Sequence, residues 1–406
     1  MSNVNENALE PRTWFENKIL LGMTGKEYVR SLLTPINMLA AFAVACAVFM
    51  FVWRFGWGLA ATTNLDQNTP WGIWIGFDMM TGIVLAAGGF TIGATVELFG
   101  LKDYAPIERP AILTGFLGYL MSIAGLIADL GRPWNMVFVM GSNGTASVLF
   151  EVAWCVMCYS SVLFLEFTVP MFEWLGWSRI HRVAKKLLLA LTVLSVMFST
   201  MHQSALGSLF LMAPGKLHPL WYTPYIFILF FTTAVIAGIS MVIVESGLSH
   251  KIFHAQFEGQ HVDADALTVG LGKAGAIATF AYFFLKVQTV TDNHAWGYLK
   301  TGWGAWWLVE VLGFVLLPSI LYAYGARNRR ARIVRIGGVF GVLGIALNRL
   351  NVSVIAYNWN IPNHYVPRWS EFVLSFGLVG LGVVLFRFIV NRMPILHPDP
   401  AYPQEH

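Results

Sequence analysis

The sequence predicts an all-α, polytopic membrane protein of ten transmembrane helices. Two observations carry this. Charged residues make up 12% of the 406 residues and hydrophobic residues 56%, whereas a soluble domain has about 25% charged residues. The apolar residues also fall into ten runs, 35–61, 71–100, 110–129, 146–172, 183–212, 221–247, 268–290, 303–325, 333–355 and 369–391, each long enough for a bilayer core that needs about 20 residues.

The order of the runs gives the domain plan. Residues 1–34 are a polar N-terminal segment with no short apolar core of a cleavable leader, 35–391 form the membrane domain, and 392–406 are a tail. The longest connection, 249–267, is polar and short, so no separate soluble domain is expected. The spans would group as bundles over about 71–212 and 221–355. Two internal matches bear on this grouping. Leu149-Phe-Glu151-Val resembles Leu308-Val-Glu310-Val, which pairs the fourth span with the eighth; Trp71-Gly-x-Trp74-x-x-x-Asp78 resembles Trp303-Gly-x-Trp306-x-x-x-Glu310, which pairs the second with the eighth. Only one of these offsets can be a true repeat.

Basic residues set the orientation. With ten spans, seventeen Lys and Arg residues fall on the side of the two termini and four (Arg132, Lys216, Lys300 and Arg368) on the other. The positive-inside rule therefore makes both termini cytoplasmic and turns Trp71 toward the periplasm or cell exterior. The net charge of +4 resides in these short loops, so it implies no nucleic acid.

The second run, 71–100, organises the rest. As a helix it is about 45 Å long. Trp71 and Trp74 lie at its outer end, where indoles favour the interface, and Gly72/Gly76 and Gly89/Gly93 allow close helix approach. It also carries Asp78 about two turns in and Glu97 near its inner end. A carboxylate at that depth costs several kcal/mol unless it faces protein or water (about 2.5–3.5 on insertion scales), so the other helices are expected to enclose this one.

Further polar groups fall within spans: Asp129, Glu151, His202, Gln203, Glu310, Arg349 and Asn351 in the outer half, Glu166 and Glu245 in the inner half. Intramembrane ionisable groups usually mark a substrate, ion or proton path; the competing reading is buried pairs, for example Arg349 with Glu310. Arg54, Lys286 and Arg387 lie near span ends and are expected to snorkel. His202 suits a hydrogen bond to a carbonyl and a proton transfer near neutral pH; the competing reading is a core histidine bonded to a neighbour. Ser208 lies nearly two turns further out. Asp129 closes the third span, either as a rim carboxylate or paired with Arg132. A membrane haem needs histidines on facing helices, and only His202 lies deep in a span, so no haem is expected. Cys155-x-x-Cys158 sits in an apolar helix and reads as core, leaving no metal site on the chain.

The segments PWGIWIGFD, AILTGFLGYL, DLGRPWN, MHQSALGSL and NRLNVSVIAYNW resemble the polysulfide-reductase membrane-subunit (NrfD-like) superfamily. They come nearest to its ten-span branch, with the so-called cytochrome b subunit of periplasmic nickel–iron hydrogenases and the membrane subunit of a cytochrome c3:menaquinone oxidoreductase. The resemblance runs over 71–359. It implies two four-helix bundles with flanking helices, no haem, and a menaquinone site near the outer face. It also implies a periplasmic ferredoxin-like iron–sulfur subunit, and through it a catalytic or multihaem cytochrome subunit.

The resulting expectation is a quinone-binding membrane subunit of a respiratory oxidoreductase. Trp71, Trp74, Asp129, His202 and Ser208 would form the quinone pocket, with His202 and Asp78 serving the headgroup. Asp78, Glu97, Glu151 and Glu166 would carry protons from the cytoplasm. The alternative class is a secondary transporter or proton channel without redox partners, which would purify alone.

Overall fold

In the computed structural model, residues 13–397 are described apart from 68, 70, 140, 142, 143, 145, 258–262 and 363. The terminal stretches before 13 and after 397, and the Pro70 that opens the PWG motif, lie outside them.

Among the described residues, ten helices are long and apolar enough to cross a membrane: Pro35–Trp57, Trp74–Leu98, Lys102–Asp129, Val148–Leu175, Ser178–Met212, Ile226–Ile252, Ala264–Asp292, Gly302–Arg327, Ala331–Ile355 and Trp369–Val390. The all-α, ten-span expectation therefore holds. Two short helices, Trp14–Lys18 and Gly25–Leu32, precede them. The Lys18 ammonium donates to the Trp174 carbonyl at 2.9 Å and Arg392 Nε to the Ile19 carbonyl at 2.9 Å, which ties this segment to the C-terminal ends of the fourth and tenth spans.

The eight middle spans pack as two rings. The second, third, fourth and fifth contact one another in cyclic order, and so do the sixth, seventh, eighth and ninth. The rings join where the second and fifth spans meet the sixth, and the second meets the ninth. The first and tenth spans pack on each other, and the tenth lies against the second and third. The second span is the most enclosed, with 78% of its apolar window buried. Small residues permit this: a Cβ on Gly238 of the sixth span would lie 2.8 Å from the Ala87 carbonyl oxygen, so only glycine lets the two backbones meet.

Four helical segments are wound wide, in π-helical turns: Trp74–Met79, Ala94–Leu98, Val309–Leu316 and Asn351–Ile355. Such turns are rare and recur at functional sites because they re-aim a side chain without ending the helix. Each one here carries a polar residue at membrane depth: Asp78, Glu97, Glu310 and Asn351 in turn.

The third span starts earlier than Pro110. Its α-helix begins at Ala105 with Pro106 in the first turn, where a missing N–H costs nothing. Glu108 and Arg109, read as loop residues from the sequence, are therefore inside the helix. The ring order matches the fourth-to-eighth offset of the Leu-Phe-Glu-Val repeat, yet Glu151 is exposed and Glu310 is fully buried. The Trp-Gly-x-Trp match captures a different feature, a wide turn holding an acid in both the second and eighth spans.

Candidate functional site

The wide turn Trp74–Met79 lays two side chains against the tenth span. Trp74 Nε1 donates to the Glu371 carbonyl at 3.1 Å, and Ser375 Oγ donates to Asp78 Oδ2 at 2.6 Å. Gly125 of the third span closes the other side of Asp78; a Cβ there would sit 2.6 Å from the Asp78 Cβ. Asp78 stands at the head of a cleft of about 350 Å³ between the second, third, sixth and tenth spans. At its far end Glu245 accepts from Thr114 Oγ1 at 2.8 Å. The combination is a long, mostly apolar slot inside the membrane domain with an acid toward each end.

Asp129 lies on the same seam, with Arg54 and Glu371 as its charged neighbours. Arg54 does not snorkel. It is buried, and its guanidinium donates to the carbonyls of Ala128 (2.6 Å) and Leu130, capping the third span where its carbonyls lack intrahelical partners. Arg132, the alternative partner of Asp129, is exposed. Glu371 accepts from the backbone N–H groups of Asn64 and Arg368, each at 3.0 Å, and from the Tyr365 hydroxyl.

The interior of the first ring holds a second arrangement. His202 is fully buried and shares a 2.8 Å hydrogen bond through Nδ1 with the Tyr119 hydroxyl. Tyr119 meets Tyr159 edge-on at 4.7 Å. The Tyr159 hydroxyl faces Ser195 and Ser199 without closing a hydrogen bond to either. Glu166 comes next, facing Ser195 and Thr192, and then Glu108. Glu108, Glu166 and Glu97 line one polar cavity of about 100 Å³ with Lys102, Arg109 and Lys185. Arg109 is paired with Glu173 at 2.8 Å and Lys102 stands 3.9 Å from Glu97. Among the described residues, His202 Nε2, Tyr159 Oη, Ser195 Oγ, Ser199 Oγ, Glu166 Oε2 and Glu108 Oε1 are buried with no hydrogen-bond partner in the protein. Buried polar groups of this kind are ordinarily bridged by ordered water.

Sequence reasoning missed Tyr119, Tyr159, Ser195, Ser199 and Glu108. One signal was available: Thr192, Ser195, Ser199 and His202 are spaced three, four and three apart, a single polar stripe down the fifth span.

The second ring is closed by charge. Glu310 is fully buried; it pairs with Lys286 at 3.2 Å and accepts from Trp221 Nε1 at 2.6 Å, Asn348 Nδ2 at 2.8 Å and Asn351. Trp306 Nε1 donates to Asn351 Oδ1 at 2.9 Å. The expectation that Lys286 snorkels is thus corrected, because its ammonium is buried as the counter-charge of Glu310. Nor is Arg349 the partner of Glu310: it donates to Thr233 Oγ1 at 2.8 Å and lies 3.8 Å over the Phe230 ring. His218 belongs to an outer loop by sequence yet is fully buried, ringed by Trp221, Tyr298, Trp303 and Trp359. Burial holds its imidazole down at about 4.

The residues expected in one pocket are therefore spread over several places. Trp74, Asp78 and Asp129 share the seam with the tenth span. Trp71 turns the other way, stacking on Tyr357 at 5.3 Å and meeting Phe210 edge-on at 5.6 Å. His202 is separated from the cleft by the third span, whose Tyr119 points into the ring while Gly118, Ser122 and Gly125 face the Asp78 side. Ser208 Oγ donates to the Ser204 carbonyl of its own helix at 3.1 Å. Glu97 and Glu166 do share one cavity, while Glu151 is exposed in the first turn of the fourth span and stands apart from them.

Fold and site together define a polytopic membrane protein that carries acids and hydroxyls through its helical rings. Residues 61–359 match the family described as polysulphide reductase, NrfD, and the chain belongs to that family. It is 46% identical over 381 residues to a protein of Nitratidesulfovibrio vulgaris whose name specifies no function, covering 93% of this chain and 98% of that one. It is 30% identical to the probable Ni/Fe-hydrogenase 2 b-type cytochrome subunit of Escherichia coli, over 90% of this chain and 93% of that one. It is 25% identical to the menaquinone reductase integral membrane subunit of N. vulgaris, over 88% and 91% of the two chains.

Proposed function

We propose that this chain is the quinone-reacting membrane subunit of a respiratory oxidoreductase complex. Electrons would pass between a periplasmic iron–sulfur subunit and menaquinone, with protons drawn from the cytoplasm. The single observation that carries the reading is Asp78, hydrogen-bonded to Ser375, at the head of an apolar cleft within the membrane domain. A quinone has a polar headgroup and an apolar tail, and the part of this cleft between Asp78 and Glu245 offers a carboxyl followed by mostly apolar walls. The names of two relatives, a menaquinone reductase subunit and a hydrogenase subunit, support it.

When bound, the quinone supplies two-electron, two-proton redox chemistry. The protein's part is to hold the headgroup and manage protons. Asp78 is placed to hydrogen-bond a carbonyl or hydroxyl at the cleft head, and its carboxyl can exchange a proton there. Ser375 fixes the carboxyl's orientation. Within the first ring, Glu97, Glu108 and Glu166 would gather protons in the polar cavity; Ser195, Ser199, Tyr159 and Tyr119 would pass them through bridging water to His202. That places protons one helix away from Asp78. No haem is proposed on this chain: among the described residues His202 and His218 are fully buried, and the first is bonded to Tyr119 while the second, in the connection between the fifth and sixth spans, is ringed by aromatic side chains.

Two measurements test this. The tagged chain, purified in mild detergent, should bring an iron–sulfur protein with it; a chain that purifies alone and transports a solute would favour the transporter reading. In the intact complex, Asp78→Asn should abolish quinone reduction while the partner still reduces a soluble acceptor. A reduced-minus-oxidised spectrum of the isolated subunit should lack b-type bands.

A further inference from the structure

We propose that the cleft below Asp78 binds the quinone's isoprenoid tail and leads it out to the bilayer between the sixth and tenth spans. The chain would then select long-tailed quinones. This rests on the assignment of Asp78 to the headgroup.

Length comes first. From Ser375, the partner of Asp78, to Arg387 at the cleft's far end is twelve residues along the tenth span, about 18 Å at 1.5 Å per residue. A headgroup fills only the top of such a slot, and a prenyl chain several units long is needed to occupy the rest. The wall chemistry agrees. Thr81 Oγ1 donates to the Gly76 carbonyl at 3.0 Å and Ser122 Oγ to the Gly118 carbonyl at 2.8 Å. Thr114 is engaged by Glu245. These hydroxyls are therefore engaged within the protein, and the cleft wall between them is made largely by Phe77, Leu117, Met121, Met241 and Leu378, with Glu245 and Arg387 toward its far end. An unbonded hydroxyl along the slot would penalise a hydrocarbon occupant.

The slot also has room and an exit. Gly382 leaves space opposite Met121; a Cβ built on it meets only Met121 Cγ, at 3.4 Å. Larger side chains at that position would enter the cleft. At the far end the lining residues Ile252 and Val383 are each 63% exposed. They flank an opening on the lipid-facing surface, so a tail too long for the slot continues into the bilayer there.

The test uses the purified complex with a menaquinone analogue bearing a diazirine at the end of its tail. Illumination should label peptides from 241–253 and 378–387. Labelling of spans other than the second, third, sixth and tenth that line the cleft overturns the proposal, and so does a diazirine phospholipid that labels the cleft and is not displaced by the quinone. Kinetics give a second reading: Gly382→Leu or Val383→Phe should lower the ratio of kcat/KM for long-tailed over tailless quinone about tenfold. An unchanged ratio overturns the proposal. Asp78→Asn separates the two ideas. Wild-type turnover of tailless quinone by that variant means the headgroup assignment has failed; lost turnover with the tail labelled elsewhere means that only the tail assignment has failed.

Discussion

Replacing Lys286 with Met removes one charge from a fully buried pair and leaves Glu310 with its neutral hydrogen-bond donors and the more distant charge of Arg349. At the observed 3.2 Å, and with an effective dielectric of about 20, the lost attraction is about 5 kcal/mol. Measured losses on breaking buried pairs are about 3–5 kcal/mol. Trp221, Asn348 and Asn351 still donate to the carboxylate, so the lower part of that range is expected, about 3–4 kcal/mol. The double variant Lys286→Met with Glu310→Gln removes both charges and keeps an amide oxygen for the donors. Its loss should fall below about 2 kcal/mol. Unfolding by SDS, followed by tryptophan fluorescence, reads these two variants, Glu310→Gln alone and the parent in one thermodynamic cycle. Additive losses, or a Lys286→Met protein as stable as the parent, would refute the claim that this pair holds the second ring together.

Three further outcomes are expected. Tyr119→Phe removes the only protein hydrogen bond found for the His202 ring among the described residues; a lost buried bond of about 1–3 kcal/mol should slow quinone-linked turnover roughly 5- to 150-fold, with the partner's reaction with a soluble acceptor unchanged. Glu166→Gln keeps the shape of the polar cavity but removes a titrating group, so a voltage-sensitive dye in proteoliposomes should report slower charge movement during quinone reduction. The His218 imidazole is held at about 4 in the fold, against about 6.5 when unfolded. The unfolded state thus binds more protons between those values, and the stability due to a neutral His218 is present above about 6.5 and lost as pH falls toward 4. The protection factor of the Leu220 amide, which donates to His218 Nδ1, should fall over that window as the pH is lowered, and His218→Gln should remove the dependence.

The sequence by itself determined the ten spans, because burial in lipid needs uninterrupted apolar length and that length is written locally. It also determined which residues stand out: Asp78, Glu97, Glu166, His202 and Glu310 are conspicuous wherever the helices end up. What only the tertiary structure decided is which of them meet. A side chain's partner depends on helix rotation and on which helices are neighbours, and neither is encoded in hydropathy. So Lys286 and Arg54, which by position near a span end belong at the interface, are instead a buried counter-ion and a helix cap. Wide turns add to this: an extra residue per turn re-aims Asp78 toward Ser375 and Glu310 toward Lys286, and a regular period of 3.6 residues does not foresee it. The string from His202 to Glu108 was half legible, as a polar stripe on the fifth span; Tyr119, Tyr159 and Glu166 complete it only because the first ring brings the third and fourth spans against that stripe.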